Sequence, residues 1–313
     1  MIDYILILLA VISFAAQFSF MKIYENGVKQ TNVTVLILLI VSNLAAALLY
    51  LCISGFNVRF SWFSFFWAAA MAVVMVPYYI LGVKSLSLGS LAIYSMFMML
   101  GGMLVPFLYG VVFLKEAVSV SKIVGCVLLT GFIVLQAVSQ NETGGAEMPS
   151  GGEAEKQQGK KKKYFFFLIC ILVFLINGAT GVIAKAHQMG KNPIDEVSFT
   201  IISCLLTSVL SGVFLGAALL KKDRTEKIKQ IRSAFLWKPL LVMSAVGLVG
   251  YTGNYLLLKA ASNVPASVQF PLVSGGVIVL SALASFLIFK EKISKKEWIS
   301  IAGAFLSTFL FAF

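Results

Sequence analysis

The side chains in this sequence best suited to hold a solute are uncharged. Gln17, Asn43, Tyr78, Tyr79 and Tyr94 in the first half interrupt long apolar runs, as do Asn177, Thr180, Tyr251, Thr252, Asn254, Tyr255 and Gln269 in the second. Amides and phenols in such a setting offer hydrogen-bond donors, acceptors and flat apolar faces, which suit a neutral, zwitterionic or aromatic molecule. Tyr251 and Tyr255, four residues apart, fall on one helix face with Asn254 beside them. For each residue the structural alternative is interhelical hydrogen bonding worth about 1 kcal/mol, or, for a tyrosine, a place at the membrane interface. As a set, Gln17, Tyr79, Tyr94, Asn177, Tyr251, Asn254, Tyr255 and Gln269 are the candidate binding residues.

Charged chemistry is scarce. An ionised side chain at the centre of a bilayer is costly and usually functional, yet Asp3, Lys22, Lys84, Lys185 and Lys259 all fall at or near the ends of apolar runs, where long side chains snorkel. Glu116 and Glu291 follow Lys115 and Lys290 in short connections and read as helix-end anchors, with Lys185 the first candidate for a further role. His187, the only histidine, reads as a loop residue, and Cys52, Cys126, Cys170 and Cys204, without CxxC spacing, read as small core residues. Neither a paired-carboxylate nor a His-containing constellation is present, so no metal, no cofactor and no enzyme is expected. That disfavours the alternative from another class, an intramembrane lipid-modifying enzyme.

These residues sit in a chain of 313 residues that is 59% hydrophobic and only 12% charged, with mean hydropathy +0.94, where soluble domains are about one quarter charged. An all-α membrane protein follows. A spanning helix needs roughly 20 mostly apolar residues, and ten segments can be drawn, at about 4–21, 33–54, 62–83, 91–114, 121–138, 164–185, 197–220, 237–258, 266–289 and 298–313. The first of these carries Asp3 in place of a basic leader and continues to Met21, so a retained helix is expected. The net charge of +12 lies in short connections, where it orients helices and meets anionic lipid. The partners expected are therefore the bilayer and a small molecule, not nucleic acid. Nothing in the sequence specifies an oligomer.

Between the fifth and sixth segments, residues 139–163 are rich in Gly, Glu, Gln and Lys and read as a flexible basic linker between halves 1–138 and 164–313. The halves are related. A shift of 175 places Lys84 on Lys259, Gly101 on Gly276, Leu114-Lys115-Glu116 on Phe289-Lys290-Glu291 and Trp62 on Trp237, and a shift of 163 places Lys22 on Lys185 and Gln17 on Thr180. The jump in offset falls at the longer basic loop of the second half, 221–238. Five spans per half begin the second copy on the opposite face, so ten transmembrane helices as two inverted five-helix repeats are expected, with a site near the midplane between them.

The duplicated unit, Lys22 and Lys185 ending its first helix, the hairpins closing in Leu114 to Glu116 and Phe289 to Glu291, and Gly125, Gly131 and Gly303 in the terminal helices resemble the drug/metabolite transporter superfamily. Within it the chain is similar to ten-helix members built from two EamA domains. The resemblance implies a secondary transporter moving a small organic solute (metabolite, amino acid or drug) across the plasma membrane by alternating access. Export is favoured, and an uptake permease for a sugar or similar metabolite is the alternative. In that family the third, fourth, eighth and ninth spans line the cavity; there Asn254 aligns with Tyr79 and Gln269 with Tyr94. The four-helix relatives use an embedded Glu of the first span for proton coupling, where this chain offers Gln17.

Lys and Arg divide 19 to 6 between the two sides, which places the linker 139–163 and the loop 221–238 in the cytoplasm and both termini outside. The resemblance implies the opposite arrangement.

Overall fold

The structure, a computed structural model, describes residues 2–86, 88, 91–143, 153–220, 224–290 and 294–311. Eleven α-helices and no strand occur among them: α1 (Ile2–Gly27), α2 (Asn32–Ile53), α3 (Trp62–Leu86), α4 (Leu91–Val112), α5 (Val120–Thr143), α6 (Glu153–Gln188), α7 (Glu196–Leu219), α8 (Arg224–Ala234), α9 (Trp237–Ala261), α10 (Ala266–Leu287) and α11 (Lys295–Phe309). Lipid leaves no partner for a bare peptide group, and a helix satisfies its own. That is why every apolar run became one.

Among the described residues seven helices are long and apolar enough to cross a membrane, namely α1, α2, α3, α6, α7, α9 and α10. The expected fourth and fifth spans contain shorter apolar helices, Met96–Val112 and Val120–Leu135, and α11, the expected tenth, has 15 residues. At 1.5 Å per residue such a helix is about 22 Å long, short of a hydrocarbon core of about 30 Å.

Three sequence expectations are corrected. The basic loop 221–238 contains α8: Ile231 packs onto a cluster around Tyr24, Val28 and Ile37, and Thr31 donates to Gln230 at 3.0 Å. The linker 139–163 is helical at both described ends, α5 running through Thr143 and α6 starting at Glu153. His187 is not in a loop but fully buried on α6, 2.9 Å from the Ser64 hydroxyl and stacked on Phe199 with ring centroids 3.9 Å apart. In addition α1 extends to Gly27 and so carries Lys22 and an exposed Glu25.

The packing interleaves the halves. α1 lies against α9 and α10, and α6 against α3 and α4; α2 meets α9 while α7 meets α3; α2 with α7, α4 with α10 and α5 with α11 pair across the halves. Two helix crossings depend on glycines. A Cβ on Gly101 would stand 2.1 Å from the Phe174 carbonyl oxygen, and one on Gly276 would stand 2.8 Å from Val11. Gly276 is Gly101 shifted by 175, and Phe174 is Val11 shifted by 163. Small residues here let helices approach closely where lipid supplies no hydrophobic drive. The outer surface is apolar, with Leu8, Phe66, Val127, Val209 and Leu306 all exposed, as lipid contact requires.

Candidate functional site

A cavity of about 40 Å³ lies where α1, α2, α3, α7 and α9 converge. Its polar wall is Gln17, Ser42, Asn43, Tyr79, Thr207, Tyr251 and Asn254; Leu38, Leu39, Met75, Val246 and Gly247 complete it. At roughly 10–15 Å³ per water, it has room for about three waters. None of these side chains is an acid or a cation.

Glycines on α9 bring the wall together. Gly247 lets α9 meet α2, since a Cβ there would lie 2.0 Å from the Ser42 carbonyl oxygen; Gly250 makes room for Gln17, whose Nε2 would lie 2.3 Å from an added Cβ. With Gly253 against Phe14 and Ser13, the three occur at every third position and mark the face of α9 turned to α1 and α2. The spacing Gly247, Gly250, Gly253 was the sequence signal for this seam.

The polar groups are tied to one another and to the backbone. Tyr251 Oη donates to Asn43 Oδ1, and Asn43 Nδ2 donates to the Leu39 carbonyl at 2.7 Å. Tyr50 Oη donates to the Tyr251 carbonyl at 3.1 Å. Thr207 donates to Ser203 and Asn254 to Gly250, each within its own helix, at 2.7 and 3.1 Å. Asn254 can therefore turn a donor into the cavity without breaking contact between helices.

Of the eight candidates, Gln17, Tyr79, Tyr251 and Asn254 line this cavity; the other four are placed elsewhere. Tyr94 stands beside Tyr78 and Tyr79, with its hydroxyl 2.7 Å from where a Cβ on Gly82 would be. Asn177 donates to the Met98 carbonyl at 2.7 Å and so joins α6 to α4. Tyr255 leans on Tyr50, ring centroids 5.7 Å apart, below Lys259. Gln269 is fully buried and donates to the Leu257 carbonyl at 2.6 Å. Ser42, Asn43 and Thr207 are lining residues outside the candidate set. Asn43 was legible as a polar break in an apolar run, whereas hydroxyls in such helices are too common to single out.

Among the described residues no group of three or more His, Cys, Asp or Glu could hold a metal ion, and the described cysteines are free, Cys52 being exposed and Cys126, Cys170 and Cys204 buried. The arrangement can hydrogen-bond and stack. It lacks a nucleophile–base pair or a pair of carboxylates.

Comparison with known proteins gives a family for the second part of the chain, just under half of it: residues 164–313 match the EamA-like transporter family. A crystal structure of another protein superposes with a TM-score of 0.70 at 12% sequence identity, spanning 98% of this chain and 95% of that one, a likeness of fold. No curated protein matches the sequence.

Proposed function

Because residues 164–313 are an EamA-like transporter domain in an integral membrane protein, we propose that the chain is a secondary transporter. It moves a small organic solute across the plasma membrane by alternating access, in the export direction. The observation that carries this reading is the cavity of amides and phenols between the halves, with Gln17, Asn43 and Tyr79 from one and Thr207, Tyr251 and Asn254 from the other. A solute held there touches both halves, so movement of one against the other changes which face it meets. With no charged side chain in the wall, burying an ion would go uncompensated, and an uncharged or internally balanced solute fits.

The architecture proposed is ten crossings, α1 to α7 and α9 to α11, in two inverted five-helix repeats, 1–138 and 164–313. It is supported by the reciprocal packing of the halves and by the matched glycine crossings. α8 then lies along the membrane surface on the cytoplasmic side with the linker, a placement supported by the seven basic residues on and beside it, Lys221, Lys222, Arg224, Lys227, Lys229, Arg232 and Lys238.

Counterflow in proteoliposomes tests the reading. Proteoliposomes preloaded with a panel of neutral, zwitterionic, anionic and cationic solutes should concentrate a labelled neutral or zwitterionic one, and Asn254→Ala should weaken its affinity about tenfold. Accumulation of none, or of ions alone, would remove it.

A further inference from the structure

The turn between α9 and α10 is gripped at both ends by charged groups that the cavity does not use. Lys185, near the end of α6 and 3% exposed, donates to the carbonyls of Ala261 and Val264 at 2.5 and 2.8 Å. Ala261 closes α9, whose last carbonyls favour a cation, and Val264 lies in the turn beyond it. α10 begins after Pro265 with no side-chain cap of its own. Instead the Glu116 carboxylate, from the connection between α4 and α5, accepts from the amides of Ala266 and Ser267 at 2.8 and 2.9 Å. Asn263 in the same turn donates to Asp3 at 3.1 Å. Lys185 and Glu116 are also electrostatic partners.

Glu116 is aimed by its backbone. Lys115 holds a left-handed φ of 53°, Glu116 N donates to the Gly110 carbonyl at 3.0 Å, and a Cβ on Gly110 would stand 2.6 Å from Glu116 Oε2. The backbone turn recurs at the corresponding position: Lys290 has a φ of 55°, and Lys22, the counterpart of Lys185, lies over Phe289 at 4.6 Å from the ring centroid. Glu291 itself lies outside the described residues.

A turn that only had to be built could be capped locally, as α2, α7 and α11 are by Thr31, Asp195 and Ser294. Here both grips come from other elements, one in each half, so the turn follows their relative position. Just inside it, Ser267 Oγ and Gln269 Oε1 are buried with no hydrogen-bond partner among the described residues, polar atoms that gain water if the turn lifts. We propose that Lys185 and Glu116 form a releasable latch holding the α9–α10 turn closed on one face, and that this face opens to solute when the latch breaks. The proposal rests on the transport reading above.

The test places a reporter cysteine at Ser267, and separately at Ser85, equally buried at the far end of α3. The four native cysteines are replaced, and the protein sits in nanodiscs that expose both faces to a soluble maleimide. Glu116→Gln, Lys185→Met and Gly110→Ala, the last displacing Glu116 with both charges retained, should each speed labelling of Ser267→Cys about tenfold or more and leave Ser85→Cys unchanged. A rise at Ser267 in fewer than two of the three variants overturns the latch. So does a rise at both reporters together, which reads loss of the fold; a variant that does not fold counts as no rise. Labelling needs no solute, so opening of one face without counterflow would retain the latch and remove the transport reading.

Discussion

The phenol of Tyr251 donates a hydrogen bond to the amide oxygen of Asn43, joining α9 of the second half to α2 of the first in the cavity wall. Asn43 is 1% exposed and its other amide atom is taken by Leu39. Tyr251→Phe therefore strands a buried acceptor, at a cost of about 1–3 kcal/mol. Adding Asn43→Leu removes the stranded group, so the double variant should be no less stable than Tyr251→Phe alone. Thermal denaturation of the four proteins in detergent checks this; simply additive losses would mean the pair is not coupled.

Gly247→Ala should be among the most damaging single changes. Its Cβ would meet backbone, the Ser42 carbonyl carbon and oxygen at 2.6 and 2.0 Å, and backbone cannot rotate away as a side chain can. The α2–α9 seam must part, a loss of about 3 kcal/mol or more on the scale of overpacked sites. Gly212→Ala and Gly216→Ala on α7, with nothing within 4 Å, should be neutral or slightly stabilising through helix propensity. Yield of monodisperse protein and melting temperature separate the two classes.

The proposed sidedness rests on the charge distribution. In intact cells an impermeant thiol reagent should label Asn192→Cys, exposed between α6 and α7, and spare Lys229→Cys, exposed on α8. Cys52, being exposed, is replaced first. The reverse pattern would put α8 and the linker outside, leaving the cluster of basic residues on the wrong side for the positive-inside rule.

The helices were legible because length and apolarity alone decide them in lipid, and the proposed repeat rests on Lys, Gly and Lys-Glu punctuating an otherwise uniform chain. The direction each polar residue faces was not. α3 and α9 are apolar all round, so no stripe tells which side meets a neighbour; Tyr251 and Asn254 turn to the cavity while Tyr255, one residue beyond, turns to Tyr50. Asn177 and Gln269 look as suited to a solute as Asn254, yet each is occupied by the carbonyl of another helix. α8 was hidden by its charge: Ile228 and Ile231, three apart, stand among charged residues in a run read as a basic loop. The interleaving of the halves, with α1 seated on α9 and α10, leaves no local trace in sequence.

Asn254 and Asn177 offer the sharpest test of which amides belong to the site. Asn254 lines the cavity and bonds only within α9, to Gly250 at 3.1 Å, so its removal unmakes no contact between helices. Asn177 bridges α6 to the Met98 carbonyl of α4 and is absent from the cavity wall. Asn254→Ala should keep its melting temperature and lose about tenfold in solute affinity, the worth of one buried hydrogen bond of about 1.4 kcal/mol. Asn177→Ala should lose about 1 kcal/mol of stability and keep its affinity. Counterflow and thermal denaturation on the same preparations read both quantities. Because the two substitutions delete the same amide, a difference between them reflects position alone, and the opposite pattern would move the site to the α4–α6 crossing.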